Sequence, residues 1–355
     1  MIKKKCFEIE HIKKKSQDIK TDPILIERAI YAFELISFLI ERNISLVFKG
    51  GTSLMLLIPE FNRLSIDIDI VTDEREKTLE NTFNNITKAA QIFKRWDEDI
   101  RVSGKEVPKR HFKFYYDSPI ERKELYVLLD ILQRKPAFPS IIRKPILNPI
   151  FEVEKKINVS IPSINSLAGD KLTAFAPRTI GILFGKEKSM EIIKQLFDLG
   201  LLFEYITDLK EVLHSYENIA TLESHYRELN VSTEQFLNDS IETSFLLCQM
   251  DFRGGAENDY TEELKEGIRK IKSHVLGGNY SFLKAKEDAS KVVCLASLIK
   301  EKCWDIDITK VRRDRNNLER IRNISLPKNF NILNKLKRIS PKSFYLWAVA
   351  LKVIK

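Results

Sequence analysis

The sequence predicts an α/β (α+β) core built on a mixed sheet, followed by a mostly α-helical C-terminal domain. Three observations predict it. The apolar run Ser45 to Phe48 leads through Gly50-Gly51 into the apolar stretch Thr52 to Ile58, which reads as strand, tight turn and short helix. Leu64 to Ile70 alternates with period two, and Leu125 to Leu132 is almost wholly apolar, as expected of a half-buried and a buried strand. Beyond Leu202 the apolar spacing is helical nearly to the end of the chain. At 355 residues there is room for two domains, with coarse boundaries at a basic segment over 1–20, the core over 21–205 and the helical domain, with its basic end, over 206–355.

Taken in order, residues 1–20 read as a mobile or peripheral lysine-rich segment. Asp22 as N-cap and Pro23 at the first helical position start a helix running to about Arg42, whose apolar majority suits packing beneath a sheet. The two glycines then permit a tight turn. Its N–H groups, with the N-terminus of the following helix, favour a polyanion, to which Thr52 or Ser53 could add a hydroxyl. In the alternating strand Leu64, Ile66, Ile68 and Ile70 face one side and Ser65, Asp67 and Asp69 the other. Two carboxylates so placed repel unless a cation intervenes, and a hard divalent ion, Mg²⁺ above all, is their natural partner. A phosphate cradle one short helix ahead of a metal-binding Asp-x-Asp is what nucleotidyl or phosphoryl transfer needs. One ion would hold a triphosphate, and a second would activate the attacking hydroxyl.

Thr72 to Phe93 reads as a charged amphipathic helix, and Asp97 to Arg110 as a loop or irregular hairpin. His111 to Tyr116 alternates aromatic and polar residues, and the next strand carries a single acid, Asp130, which needs a partner because a buried unpaired carboxylate is costly. Arg134, or another base near a strand end, is one such partner. Pro136 and Pro139 break the pattern, after which Ile150 to Val153 with Asn158 to Ile161 reads as one more hairpin or edge. Ser163 suits the cap of a helix that places Lys171 two turns in. Farther on, Ser232 or Thr233 caps a helix to about Met250, Thr261 begins another that Gly277-Gly278 terminates, and Ser281 to Trp304 reads as a third. Trp304-Asp305-Ile306-Asp307 imitates the first Asp-x-Asp, but no strand, Gly-Gly and helix precede it.

Composition narrows the function classes. The four cysteines, Cys6, Cys248, Cys294 and Cys303, form no Cys-x-x-Cys pair, which argues against zinc or a disulfide framework and fits a reducing cytoplasm. Glu8 and Glu10 follow the basic start where a secretory signal would be apolar, and Ile24 to Ile40 is interrupted by Glu27, Arg28 and Glu34, so neither a signal nor a membrane span is expected. The net charge of +9 is a C-terminal property: Lys310 to Lys355 holds thirteen Lys/Arg against two acids, +11, and the rest of the chain 46 bases against 48 acids, −2. A field of that sign attracts nucleic acid; a solvated helix surface or a patch for an acidic protein would carry it equally well. Lys109-Arg110-His111-Phe112-Lys113 interleaves bases with aromatics, as RNA-binding strands and solvated edge strands both do. Tyr345 and Trp347, near the basic end, suit either stacking on bases or packing in the last helix.

The Gly-Gly turn followed by Asp-x-Asp resembles the DNA polymerase β-like nucleotidyltransferase superfamily. The fuller form, Lys49-Gly50-Gly51-Thr52-Ser53-Leu54 with Arg63-x-Ser65-x-Asp67-x-Asp69, is more narrowly similar to the AbiEii/AbiGii-type nucleotidyltransferases, many of them toxins of toxin–antitoxin or phage-defence systems. The resemblance covers the core and implies a nucleotidyltransferase fold, an NTP substrate and two Mg²⁺ ions on Asp67, Asp69 and a third carboxylate, matched here by Asp130. It assigns Lys49, Gly50, Gly51, Thr52, Ser53, Arg63 and Ser65 to the nucleotide. It adds Lys171, in a Lys-Leu-x-Ala setting, as a neutraliser of phosphate charge, Arg178 after it, and Asp198, in a Phe-Asp-Leu setting, to orient that lysine or help deprotonate the acceptor. For the acceptor it implies RNA, such as a tRNA 3′ end, and for the partner an antitoxin protein. Transfer to a protein or small-molecule hydroxyl and a non-catalytic nucleotide-binding module are the competing readings.

Overall fold

In the computed structural model, which describes residues 1–89, 92–100 and 107–354, the chain divides into two compact units. The first comprises residues 1–136, 141–163 and 273–279. Its centre is a mixed seven-stranded sheet of β1 (Val47–Lys49), β2 (Ile68–Thr72), β3 (Arg95–Glu98), β4 (Lys109–Asp117), β5 (Glu124–Gln133), β6 (Ile141–Pro145) and β7 (Asn158–Pro162), in the order β3-β4-β5-β2-β1-β7-β6. The pairs β2/β5 and β1/β7 are parallel and the others antiparallel. Helices α1 (Ile9–Ile19), α2 (Pro23–Glu41), α3 (Gly50–Leu57) and α4 (Glu76–Ala89) complete the unit.

The two faces of the sheet have different chemistry because side chains alternate along each strand. One face is apolar. Tyr31 of α2 stacks on Tyr116 with ring centroids 3.7 Å apart, Phe33 of α2 meets Phe48, and Phe83 of α4 packs edge-on against Phe112 and Phe114. The alternate residues Lys49, Asp69, Asp130 and His111 therefore belong to the opposite face. Asp22 caps α2 by accepting from the Ile24 N–H at 2.8 Å, with Pro23 at the first position, as the sequence predicts. The first twenty residues, expected to be mobile or peripheral, include α1, and they bury Ile2, Cys6 and Ile12.

Several boundaries differ from expectation for identifiable reasons. The predicted alternation from Leu64 begins as a strand only at Ile68. Residues 62–64 are drawn into pairing with 274–276 instead: the Leu64 N–H donates to the His274 carbonyl at 3.1 Å, and the Leu276 N–H to the Asn62 carbonyl at 2.8 Å. The amphipathic helix expected from Thr72 starts at Glu76, because Thr72 is the last residue of β2. The loop or hairpin expected over Asp97 to Arg110 lies partly outside the described residues, at 101–106; on either side of it β3 and β4 pair, so Lys109 to Lys113 lies on an interior strand and not on an edge. β7 pairs with Ile141–Pro145 and not with 150–153, of which Val153 bridges Ile2.

The second unit comprises residues 137–140, 164–272 and 280–355, of which Lys355 lies outside the described residues. It is helical: α5 (Ile164–Ala174), α6 (Ser189–Leu202), α7 (Leu209–Tyr226), α8 (Thr233–Gln249), α9 (Asp259–Lys270), α10 (Phe282–Lys300), α11 (Ile308–Asp314), α12 (Leu336–Ile339) and α13 (Pro341–Ala350). Ser232 forms a capping box with Gln235 at α8, and Ser281 caps α10. α9 starts two residues before the predicted Thr261, because Asn258 forms its capping box with that threonine. It ends at Lys270, well before Gly277-Gly278. Asp307 of the imitation motif is the N-cap of α11, accepting from the Thr309 N–H at 2.8 Å. Trp347 is fully buried, its indole N–H on the Cys248 sulfur at 3.3 Å, and Tyr345 is 3% exposed, so packing and not base stacking accounts for both.

Candidate active site

The Gly-Gly turn is tighter than the sequence suggests. Gly50 and Gly51 form the first turn of α3 themselves, with Lys49 as its N-cap and Gly50 at φ +75°. A β-carbon on Gly50 would lie 2.1 Å from Asp69 Oδ2, and one on Gly51 would lie 2.5 Å from Arg63 Nη2 and 2.9 Å from Ser65 Oγ. Gly50 is thus favoured both by close approach and by a left-handed backbone, and a side chain on Gly51 would have to displace Arg63 and Ser65. Asp69 thereby lies against Gly50, and Arg63 and Ser65 lie against Gly51. Arg63 is buried, with its guanidinium on the Leu64 carbonyl at 3.3 Å.

Thr52 and Ser53 are fully buried and their hydroxyls point inward. Thr52 Oγ1 donates to the Asp67 carbonyl at 2.5 Å and Ser53 Oγ to the Gly50 carbonyl at 2.9 Å. Thr52 therefore ties the helix to the backbone of the first motif aspartate, and Ser53 braces the glycine turn. Asp67 itself precedes the strand and is exposed, whereas Asp69 lies within it and is half-buried.

Strand register assembles the rest. Lys49 pairs with Asp69, Asp69 with Asp130, and Asp130 with His111, so four side chains from β1, β2, β5 and β4 share one row on the polar face. Asp130 has its charge partners from β4 and not from Arg134. His111 Nδ1 lies 2.6 Å from Oδ1 and Lys109 Nζ 2.9 Å from Oδ2, and the Asp130 and His111 side chains are each 12% exposed. Neither base was singled out for this role by the sequence. The signal was present, because closing the β4–β5 hairpin between Asp117 and Glu124 sets His111 opposite Asp130. Asp69 and Asp130 are hard oxygen donors on one face, the donor type a divalent ion takes, while Asp67 lies just ahead of the strand. Among the described residues no three His, Cys, Asp or Glu side chains converge as a ready metal site.

Lys171 and Asp198 belong to the second unit, on α5 and α6. They form an ion pair at 2.8 Å with side chains 6% and 1% exposed, and Lys171 also donates to Gln195 Oε1 at 3.1 Å. Arg178 pairs with Glu242 at 2.6 Å, lies over the Tyr260 ring, and donates its backbone N–H to Asp239. Part of the C-terminal basicity is spent inside the same unit. Arg312 donates to the carbonyls of Phe203 and Ile206 at 2.9 and 2.6 Å, and Arg315 forks onto Glu204 with two bonds of 2.8 Å. Arg322, Lys328, Arg338 and Lys342 are exposed.

A sequence model of the family described as nucleotidyl transferase AbiEii toxin, type IV TA system, matches residues 39–270. No curated protein sequence matches the chain. Among solved structures, JHP933 from Helicobacter pylori is similar at 16% identity and TM-score 0.44, over 82% of this chain and 98% of its own. An antigenic nucleotidyltransferase-like protein from Paracoccidioides brasiliensis is similar at 15% identity and TM-score 0.37, over 57% of this chain and 89% of its own. No helix among the described residues is long and apolar enough to cross a membrane.

Proposed function

Because the chain belongs to the AbiEii nucleotidyl transferase toxin family, we propose that this nucleotidyltransferase moves a nucleotidyl group from an NTP to a hydroxyl of RNA, the 3′ end of a tRNA being the form implied for the acceptor. The observation that carries the reading is the row of Lys49, Asp69 and Asp130 beside a glycine turn in which a side chain on Gly50 would meet Asp69. Asp67, Asp69 and Asp130 would hold magnesium, which when bound supplies Lewis-acid charge on the phosphates and lowers the pKa of the attacking hydroxyl. The turn N–H groups of Gly50 and Gly51 and the Lys49 ammonium meet the phosphate oxygens, with Arg63 and Ser65 closing the back of the cradle. The acceptor oxygen forms a bond to the α-phosphorus as the bond to the bridging oxygen breaks, pyrophosphate leaves, and the acceptor proton passes to a carboxylate of the row or to water. Lys171 as neutraliser of phosphate charge, with Asp198 as its orienting partner, is a role that rests on the family resemblance; in this structure the two are paired with each other. Arg178 contacts the nucleotide, a role that rests on the family resemblance. A cognate antitoxin protein is the proposed counterpart in the cell, and the cytoplasm the proposed compartment.

The test is to incubate the chain with magnesium, each α-³²P-labelled NTP in turn and total cellular RNA, beside Asp67→Ala and Asp69→Asn variants. Label in a tRNA-sized band that requires both aspartates is the expected result, and the NTP that gives it names the preferred base. Label in a protein band or a small product instead would overturn the RNA acceptor and keep the transferase. Label that persists in both variants would overturn the assignment of the aspartates.

A further inference from the structure

We infer that Lys109 competes with the divalent cation for Asp130, so that loading the site requires this lysine to leave. The inference rests on the reading of Asp67, Asp69 and Asp130 as the cation site. Asp130 is the middle member of the row, with Asp69 on one neighbouring strand and His111 on the other. Its two oxygens are not equivalent. Oδ1 is committed to His111 Nδ1 at 2.6 Å, a contact between two side chains that are each 12% exposed and held by adjacent interior strands. Oδ2 is held at 2.9 Å by Lys109 Nζ, whose side chain is 41% exposed and sits at the first residue of β4. The histidine contact is therefore the fixed one and the lysine contact the exchangeable one.

An ammonium and a divalent ion on the same carboxylate oxygen repel strongly. A cation shared between Asp69 and Asp130 and the present Lys109 contact are thus alternatives. The lysine neutralises carboxylate charge that would otherwise stand side by side on one sheet face. When a cation replaces it, a long exposed stem lets the ammonium swing outward, where the phosphates that arrive with the cation are its natural partners. His111 keeps the plane of the Asp130 carboxylate through the exchange and is a positioning residue acting through Asp130.

The experiment measures Mn²⁺ binding by calorimetry on the full chain and on Lys109→Met and Lys109→Arg, with circular dichroism on each to show that the fold is kept. Lys109→Met should bind Mn²⁺ more tightly than the wild type, on the order of 5- to 50-fold as for a coupling between two ligands, while Lys109→Arg, which keeps the charge, should not. Acylation of Lys109 in the wild type, read by mass spectrometry, should speed up severalfold when Mg²⁺ is added. Wild-type binding of Mn²⁺ with equal or weaker binding by Lys109→Met, or a Lys109 acylation rate indifferent to Mg²⁺, would overturn the competition and leave the site reading intact. No Mn²⁺ binding at millimolar concentrations by either the wild type or Lys109→Met would overturn both.

Discussion

Gly50 shows how a single residue fixes the active face. A β-carbon there would meet Asp69 Oδ2 at 2.1 Å, and the backbone sits at φ +75°, so Gly50→Ala should cost about 1–3 kcal/mol in strain. Because the clash is with the carboxylate itself, nucleotidyl transfer should fall further than stability does. Urea denaturation and label transfer measured on the same preparation check this. Lys171 is a charge whose loss is felt in the fold as well as in transfer. It is paired with Asp198 at 2.8 Å where both side chains are almost fully buried. Lys171→Met strands a buried carboxylate and should destabilise by about 3–5 kcal/mol, whereas Lys171→Met with Asp198→Leu should recover most of that. Denaturant midpoints for the double-mutant cycle decide it, and a double variant no better than the single would show that the pair is not the origin of the loss. At this scale the sequence was informative where chemistry and spacing coincide: both motif aspartates and the glycine pair are legible from it, whereas Lys171 with Asp198 came only as what the family resemblance implies. The inward turn of the Thr52 and Ser53 hydroxyls is not, because a hydroxyl's partner depends on which carbonyl the next segment presents.

Between elements, ion pairs join segments that the sequence leaves apart. Glu204, just after α6, is held by Lys291 of α10 at 2.8 Å and by the fork of Arg315, just after α11. Burial alone would raise its carboxyl, but Arg315 and Lys291 overcome that and bring it down to about 2. A carboxyl lower in the folded than in the unfolded chain stabilises at pH values above its unfolded value, and the contribution is lost as pH falls towards the folded value. The second unit should therefore lose on the order of 2–3 kcal/mol as pH falls from about 5 to about 2. Glu204→Gln should flatten that part of the curve, as denaturation followed across pH would report. Element boundaries were less legible than elements. β2 begins four residues later than its alternation suggests because residues 62–64 pair with 274–276, more than two hundred positions away. Periodicity records which residues can alternate, and only the distant partner decides where they do.

For the whole molecule, the charge asymmetry bears on the acceptor. Of the C-terminal bases, Arg312 and Arg315 are tied to carbonyls and a carboxylate, while Arg322, Lys328, Arg338 and Lys342 are exposed. Changing these four together to alanine should weaken RNA binding across all sequences and lower the slope of log affinity against log salt by up to about 0.7 for each phosphate that is no longer neutralised. Filter binding between about 50 and 200 mM salt measures it, and an unchanged slope would move the basic end to another partner. By itself the sequence determined the fold class, the family and the identities of the motif residues, since these depend on local pattern and on side chains that chemistry restricts. Tertiary structure alone decided that Lys109 and His111 hold Asp130 and that the glycines are the first turn of α3. It also decided that Arg312 and Arg315 of the basic end are consumed inside their own unit. Those outcomes follow from strand register, which is fixed only once the hairpin between Asp117 and Glu124 closes, and from helix ends meeting carboxylates distant in the chain.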